Sequence, residues 1–356
     1  MAVLALNPGS STLKFALYRG ETLAAKDVVE VHSERSMTAA TAAILERLQG
    51  ERLEAAGCRV VHGGSRFVEP VLVDDAVLTG IAELAELAPL HNPPALEVLH
   101  ETRRRLPKTP LVAIFDTAFH QTLPPVASTY ALPGDLAERR GLRRYGFHGI
   151  SHGYVASRLR KPRLITCHLG NGASVCAIRD GKSIDTSMGL TPMEGLVMGT
   201  RSGDIDPGLI LYLLRGGMSA AEVDDVLNHR SGLLGLSGRS GDVRELEAAN
   251  DARAELALEL FAYRVARYIG AYAAVLEGLD AVAFTGGIGE HSPSMRQRMC
   301  RRLAFLGIEL DEARNRSAKG VEARISADRA AVEVWVVPTD EEWEIARAAA
   351  RLSGVN

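Results

Sequence analysis

The feature that most constrains the fold is a pattern that the chain carries twice. Near the N-terminus an apolar run leads into Asn7-Pro-Gly-Ser-Ser-Thr-Leu-Lys-Phe-Ala-Leu-Tyr-Arg-Gly-Glu-Thr22, which reads as strand, Gly/Ser turn, strand, Gly-centred turn and third strand. Asn171-Gly-Ala-Ser-Val-Cys-Ala-Ile-Arg-Asp-Gly-Lys-Ser183 repeats that order after the apolar run 164–169. One hairpin unit per half is what a duplicated domain leaves behind. Glycines and hydroxyls in such turns let backbone N–H groups come close to an anion, so two of them suit a phosphate chain approached from opposite sides. Either turn alone is commonplace between strands; the pairing carries the weight.

A length of 356 residues accommodates this duplication, because one hydrophobic core rarely grows past roughly 250 to 300 residues. The net charge of −3 gives no basic field for a nucleic-acid or anionic-membrane partner. Cys58, Cys167, Cys176 and Cys300 form no C-x-x-C pair and read as reduced core thiols. The N-terminal apolar run is too short for a signal peptide, and no stretch approaches ~18 apolar residues. The expectation is a soluble, cytoplasmic protein.

Elsewhere short β-rich runs alternate with helical periodicity, which argues for an α/β fold. Strands are expected at 59–61, 111–115, 282–285 and 332–337, and helices at 37–56, 94–106, 251–276, 294–306 and 341–352. Three short motifs fail on inspection. Gly181-Lys182-Ser183 lacks the glycine five positions earlier that a P-loop needs, Cys176 standing there. Gly170-Asn171-Gly172 lacks the third glycine of a dinucleotide fingerprint, Val175 standing there. His148 and His152 have ligand spacing but no third ligand for zinc.

Eleven segments, in order, resemble those of the acetate kinase family, within the superfamily that includes sugar kinases, actin and the 70-kDa heat-shock chaperones. They are Asn7 to Phe15, Arg59-Val-Val-His-Gly-Gly64, Pro89-Leu-His-Asn-Pro93, Phe115-Asp-Thr-Ala-Phe-His-Gln121, Arg144-Tyr-Gly-Phe-His-Gly149 and His168-Leu-Gly-Asn-Gly172. The series continues with Asp185-Thr-Ser-Met-Gly189, Met198 to Pro207, Asp242-Val-Arg244, Phe284-Thr-Gly-Gly-Ile-Gly-Glu290 and Pro338-Thr-Asp-Glu-Glu342. The resemblance implies a duplicated ribonuclease-H-like (actin-like ATPase) fold of two domains with an interdomain cleft. It places 1–118 plus 343–356 in an acyl and phosphate-side domain and 119–342 in a nucleotide-binding domain. It also implies a homodimer.

The implied reaction is reversible transfer of the γ-phosphoryl group of ATP to acetate, giving acetyl phosphate and ADP, with Mg²⁺ or Mn²⁺. A carboxylate is ionised at pH 7 and needs no base; it needs its negative charge, and that of the phosphates, offset. By the resemblance Arg59 holds the substrate carboxylate, Arg201 and His148 contact the phosphoryl group, and Asp116 organises the metal and the site. Asn7 and Glu341 supply oxygen to the metal, and Val61, Leu90, Phe147 and Pro192 line the acyl pocket. Lys14, His168, Leu169, Gly170, Asn171, Gly172, Asp242, Val243, Arg244, Gly287, Ile288, Gly289, Glu290 and His291 serve the nucleotide. The chain departs from the family's pattern at Pro8, Thr12, Asp340 and His291, and in a shortened stretch between Lys14 and Arg59. The rival expectations are a propionate- or butyrate-preferring acyl kinase and a non-catalytic ATP-gated member of the superfamily.

Overall fold

The computed structural model describes residues 2–9, 11–31, 36–86, 88 and 92–355. The chain forms two compact units: Met1–Gln121 with Phe147–Tyr154 and Asp340–Asn356, and Thr122–Gly146 with Val155–Thr339. Phe147–Tyr154, expected in the second domain, belongs with the first unit. Its anchor there is local, the Gly149 N–H donating to the Asp116 carbonyl at 3.0 Å.

In the first unit β1 (Ala2–Pro8), β2 (Thr12–Arg19) and β3 (Thr22–Glu30) form an antiparallel meander. β4 (Leu53–Val60) and β6 (Leu111–Phe115) run parallel to β1, with β5 (Val71–Leu72) antiparallel at the edge, in the order β3-β2-β1-β4-β6-β5. The two-residue period of a strand sorts its side chains onto two buried faces. Leu4 and Leu6 pack with Phe15 and Cys58 in the cluster that includes Ile44 and Val98 from helices Met37–Arg47 and Asn92–Arg105. Val3 and Ala5 pack with Ala16 and Ile114 against Ile345, Ala346 and Ala349 of the helix Glu341–Leu352. That helix lies so close to β4 that a Cβ on Gly57 would stand 2.8 Å from Ile345. Asp340 caps it, accepting from the Trp343 N–H at 3.1 Å.

The second unit repeats the plan. β7 (Arg163–Leu169), β8 (Ala173–Arg179) and β9 (Lys182–Thr186) form a meander, and β10 (Ala281–Thr285) and β12 (Glu333–Val336) follow β7 in parallel. β11 (Ala323–Arg324) is antiparallel at the edge. Read from β9, the order β9-β8-β7-β10-β12-β11 matches the first sheet strand for strand, so the sequence echo is a structural repeat. The helix expected at 37–56 stops at Arg47, after which Gly50 takes φ +98° and the chain turns into β4. Leu53–Ala56, whose sequence has no period separating helix from strand, opens β4 and does not extend the helix. Helix Pro293–Cys300 gives way to a 3₁₀ turn at Arg301–Leu306, shortening the helix expected at 294–306. All four cysteines are buried and free. Among the described residues no helix is long and apolar enough to cross a membrane.

Candidate active site

In the first unit the parallel strands end at a cluster of charge. Arg59, the last residue but one of β4, donates from Nε and Nη2 to the same oxygen of Asp116, at 2.8 and 2.5 Å. Its Nη1 donates to the Pro8 carbonyl at 3.1 Å. Asp116, directly after β6, is 1% exposed. Burial works against the Arg59 charge, but the nearby Asp116 and Glu341 carboxylates more than offset it and hold the guanidinium pKa above its ordinary value. The Asn7 amide, at the end of β1, bridges Glu341 and Glu342 with two donated bonds of 2.9 Å. Glu342 is buried and also pairs with Lys26 at 2.8 Å.

Phe147 and His148 belong to the same unit. His148 adopts φ +56°, in the left-handed region that a side-chain-bearing residue seldom occupies. The turn is tight because a Cβ on Gly149 would stand 2.1 Å from the Asp116 carbonyl oxygen. His120 spans the base of this turn, its Nε2 lying 2.9 Å from the Phe147 carbonyl. A carbonyl only accepts, so Nε2 carries the proton and donates. Burial lowers the His120 pKa to about 4, which keeps the ring neutral at pH 7. Val61 and Phe147 are buried. Leu90 lies outside the described residues.

In the second unit a cavity of about 420 Å³ is lined by Gly170, Asn171, Asp242, Val243, Arg244, Gly287, Ile288 and His291. Three segments far apart in sequence build it: the β7–β8 turn, the start of helix Val243–Ala249 and the short helix Gly286–His291 that follows β10. Glycine is required where they touch. Gly286, at φ +76°, would press a Cβ to 2.8 Å from the Leu169 carbonyl oxygen, whereas a Cβ on Gly287 would meet nothing within 4 Å and so faces open space. Asp242 caps its helix and pairs with the exposed Arg244 at 2.5 Å.

Arg201, in the same unit, is largely desolvated, and burial lowers its pKa from the ordinary value. Its Nη1 donates to the Pro192 carbonyl at 2.9 Å. Among the described residues no carboxylate pairs with it.

Not every residue expected to serve the nucleotide faces that cavity. Glu290 turns back to accept from the Gly286 N–H at 2.8 Å and the Thr339 N–H at 3.2 Å, so it holds the turn instead of lining the cavity. Leu169 is fully buried within β7. Lys14 lies exposed on β2 of the first unit. Glu247, Ser292 and Gly241 line the cavity and were not anticipated. Glu247, one turn beyond Val243 on its helix, was discoverable from the helical period alone. Lys26 and Glu342 also escaped notice, because a salt bridge between β3 and the last helix leaves no local signal. Asp340, a departure from the family's pattern next to Glu341, spends its carboxylate on the helix cap and on the Tyr18 hydroxyl at 3.1 Å.

Among the described residues no group of three His, Cys, Asp or Glu side chains is arranged to hold a metal by itself. The donors present, Asn7, Asp116 and Glu341, are all oxygen-bearing. Magnesium binds in this way, through one or two carboxylates with waters and substrate phosphates completing its shell.

Two sheets of one topology, each fronted by a Gly-rich hairpin, define a duplicated ribonuclease-H-like fold of the kind that handles phosphorylated nucleotides. The acetokinase family model matches residues 23–347. An acetate kinase of Heliobacterium modesticaldum is 46% identical, covering 99% of each chain. The crystal structure of Porphyromonas gingivalis acetate kinase superposes with a TM-score of 0.90 at 39% identity over 99% of each chain. A propionate kinase from Francisella tularensis superposes with a TM-score of 0.90 at 38% identity, over 98% of this chain and 99% of its own. The chain belongs to the acetokinase family.

Proposed function

We propose that this protein is an acetate kinase, transferring the γ-phosphoryl group of ATP to acetate, reversibly and with Mg²⁺, to give acetyl phosphate and ADP. The observation that carries the reading is the Arg59–Asp116 pair. Asp116 takes one edge of the guanidinium and the Pro8 carbonyl another, which fixes the plane of Arg59 and leaves a second Nη2 N–H for a substrate carboxylate.

The acetate oxygen, already anionic, forms the new P–O bond while the bond from the γ-phosphorus to the bridging oxygen breaks and its electrons leave with ADP. No proton moves. Arg59 orients the carboxylate and weakens its repulsion with the phosphates. Arg201, largely desolvated and paired with no carboxylate among the described residues, offers its charge to the transferring group, where such an arginine is worth roughly 10³-fold or more in rate. His148 donates a hydrogen bond to the same group from its strained turn. The cavity at Asn171, Asp242–Arg244, Gly287, Ile288 and His291 takes the nucleotide. Bound magnesium, held by Asn7, Asp116 and Glu341, would offset phosphate charge.

Family resemblance assigns Val61, Leu90, Phe147 and Pro192 to the acyl pocket. The second reading, a preference for propionate, is favoured by the likeness to the Francisella propionate kinase, since one methylene separates the two substrates and is worth only about 1–3 kcal/mol. Trapping acyl phosphate as hydroxamate, with ATP, Mg²⁺ and two- to four-carbon acids, tests both. Acetate giving the highest kcat/KM supports the first reading; no hydroxamate from any acid rejects the enzyme altogether. The protein acts in the cytoplasm as a homodimer. The helix Pro207–Arg215 supports the dimer, since it buries none of its residues and exposes Leu209, Leu211, Tyr212 and Leu214. Light scattering reads the state.

A further inference from the structure

Residues 187–206, which carry Pro192 and Arg201, form neither helix nor strand, so something other than a backbone ladder must fix them. Arg144 does so from the preceding segment. Its Nη1 lies 3.0, 3.2 and 3.1 Å from the carbonyls of Thr186, Ser187 and Met188, and its Nη2 donates to Glu194 at 2.5 Å. The other Glu194 oxygen accepts from the Tyr130 hydroxyl. That hydroxyl in turn accepts from the Leu190 N–H at 2.9 Å. The three side chains therefore grip the loop on both sides of Pro192. The fit leaves no slack, since a Cβ on Gly189 would fall 1.6 Å from a Glu194 oxygen and 2.0 Å from the Tyr130 hydroxyl. Further along, Asp204 accepts from the Gly195 N–H at 2.8 Å and from the Tyr268 hydroxyl at 2.7 Å, closing the far end. Arg201 hangs from the held segment by its bond to the Pro192 carbonyl.

We infer that Tyr130, Glu194 and Arg144 are positioning residues that set the acyl-chain selectivity of the enzyme by holding Pro192 in place. The inference rests on Pro192 lining the acyl pocket, as the proposed function has it. A clamp that fixes a pocket wall excludes a longer acid by refusing to yield, and loosening it admits the extra methylene. The phosphoryl side is coupled to the same grip, because Arg201 takes its position from the carbonyl of the same proline.

Tyr130→Phe removes the hydroxyl and keeps the ring; Glu194→Gln keeps the shape and the acceptor for Arg144 but removes the charge. For each, kcat/KM is measured with acetate, propionate and butyrate, alongside KM for ATP and the thermal midpoint. A rigid one-methylene pocket discriminates by roughly 10- to 200-fold, so the acetate-to-propionate ratio should fall about fivefold or more in either variant. KM for ATP should stay within about twofold of the parent. A variant that only weakens the fold lowers all three acids in proportion. An unmoved ratio in both variants, with an active parent, overturns the clamp alone. A parent that phosphorylates no carboxylate overturns the proposed function and the clamp with it. Should Tyr130→Phe fail to fold, Glu194→Gln decides.

Discussion

The buried ion pair of the first unit makes a prediction sharp enough to fail. Asp116 is 1% exposed and the Arg59 side chain 15%, so removing either partner takes away the direct counter-charge of a largely buried group, at a cost of about 3–5 kcal/mol. The two losses differ in kind. In Arg59→Met the Asp116 carboxyl, having lost its guanidinium neighbour while still buried, binds a proton more readily, which raises its folded pKa above its unfolded value near 3.9. Between those two values the folded state holds more protons than the unfolded one, so Arg59→Met loses stability as pH rises through that window and regains it on acidification. Asp116→Leu leaves a guanidinium, which cannot shed its proton at any pH in range, and its penalty should be flat with pH. Replacing both residues removes both stranded charges, so the double variant should be more stable than the sum of the single losses by at least about 2 kcal/mol. Urea unfolding can be read in this unit alone. The chain has two tryptophans, Trp343 in the first unit and Trp335 in the second. On a Trp335→Phe background the fluorescence comes from Trp343, whose ring lies 5.0 Å from that of Tyr18. Losses that add to within about 0.5 kcal/mol, or identical pH profiles for the two single variants, would refute the reasoning.

Three further outcomes are expected. Arg201→Ala should lower kcat by about 10³-fold or more while leaving ADP affinity, measured by calorimetry, within a fewfold of the parent; a loss under tenfold would remove it from the transferring group. His120, neutral in the fold with a pKa of about 4 against about 6.5 unfolded, should withdraw up to about 3 kcal/mol of stability as pH falls between those values. His120→Gln should flatten that part of the acid-unfolding profile, and an unchanged slope would contradict the assignment. Arg296, fully buried, donates to the carbonyls of Gly289 and Glu290 and of Asn315 and Ala318. Arg296→Met orphans those acceptors, two of them on the helix Gly286–His291 that lines the cavity proposed for the nucleotide, and should weaken ADP binding about tenfold, as calorimetry would show.

What could be read from the sequence divides along a physical line. The duplication was legible because a Gly/Ser hairpin between two strands is a local object, and its second copy at Asn171 stands in plain text. Paired β1–β2 and β7–β8 follow from it, as do the parallel strands that end at Phe115 and Thr285. The helix start at Glu341 was legible for the same local reason, with Asp340 ahead of it as cap. Contacts that span the chain were not legible. The Lys26–Glu342 bridge joins residues 316 apart, and Glu290 belongs to a motif while pointing away from the ligand side. The turn at Gly50 was missed because Leu53–Ala56 has no period that separates strand from helix.

The two central arginines show why residue type alone did not decide their roles. Arg59 is side-on to a carboxylate, so the pair carries no net charge and can orient a monoanion without holding it tightly. Among the described residues Arg201 donates to a carbonyl and a thioether and pairs with no carboxylate, so its charge is unspent and its desolvation is a standing cost. A ligand rich in negative charge offsets that cost when it arrives, and a singly charged acid far less. Phosphate-bearing ligands should therefore stabilise the second unit through Arg201. On a Trp343→Phe background, where Trp335 reports, ADP should raise the thermal midpoint of the parent. The part of that rise due to Arg201 should vanish in Arg201→Met, while a fluorescence midpoint that ADP raises equally in both proteins would show that Arg201 is not the group receiving the charge.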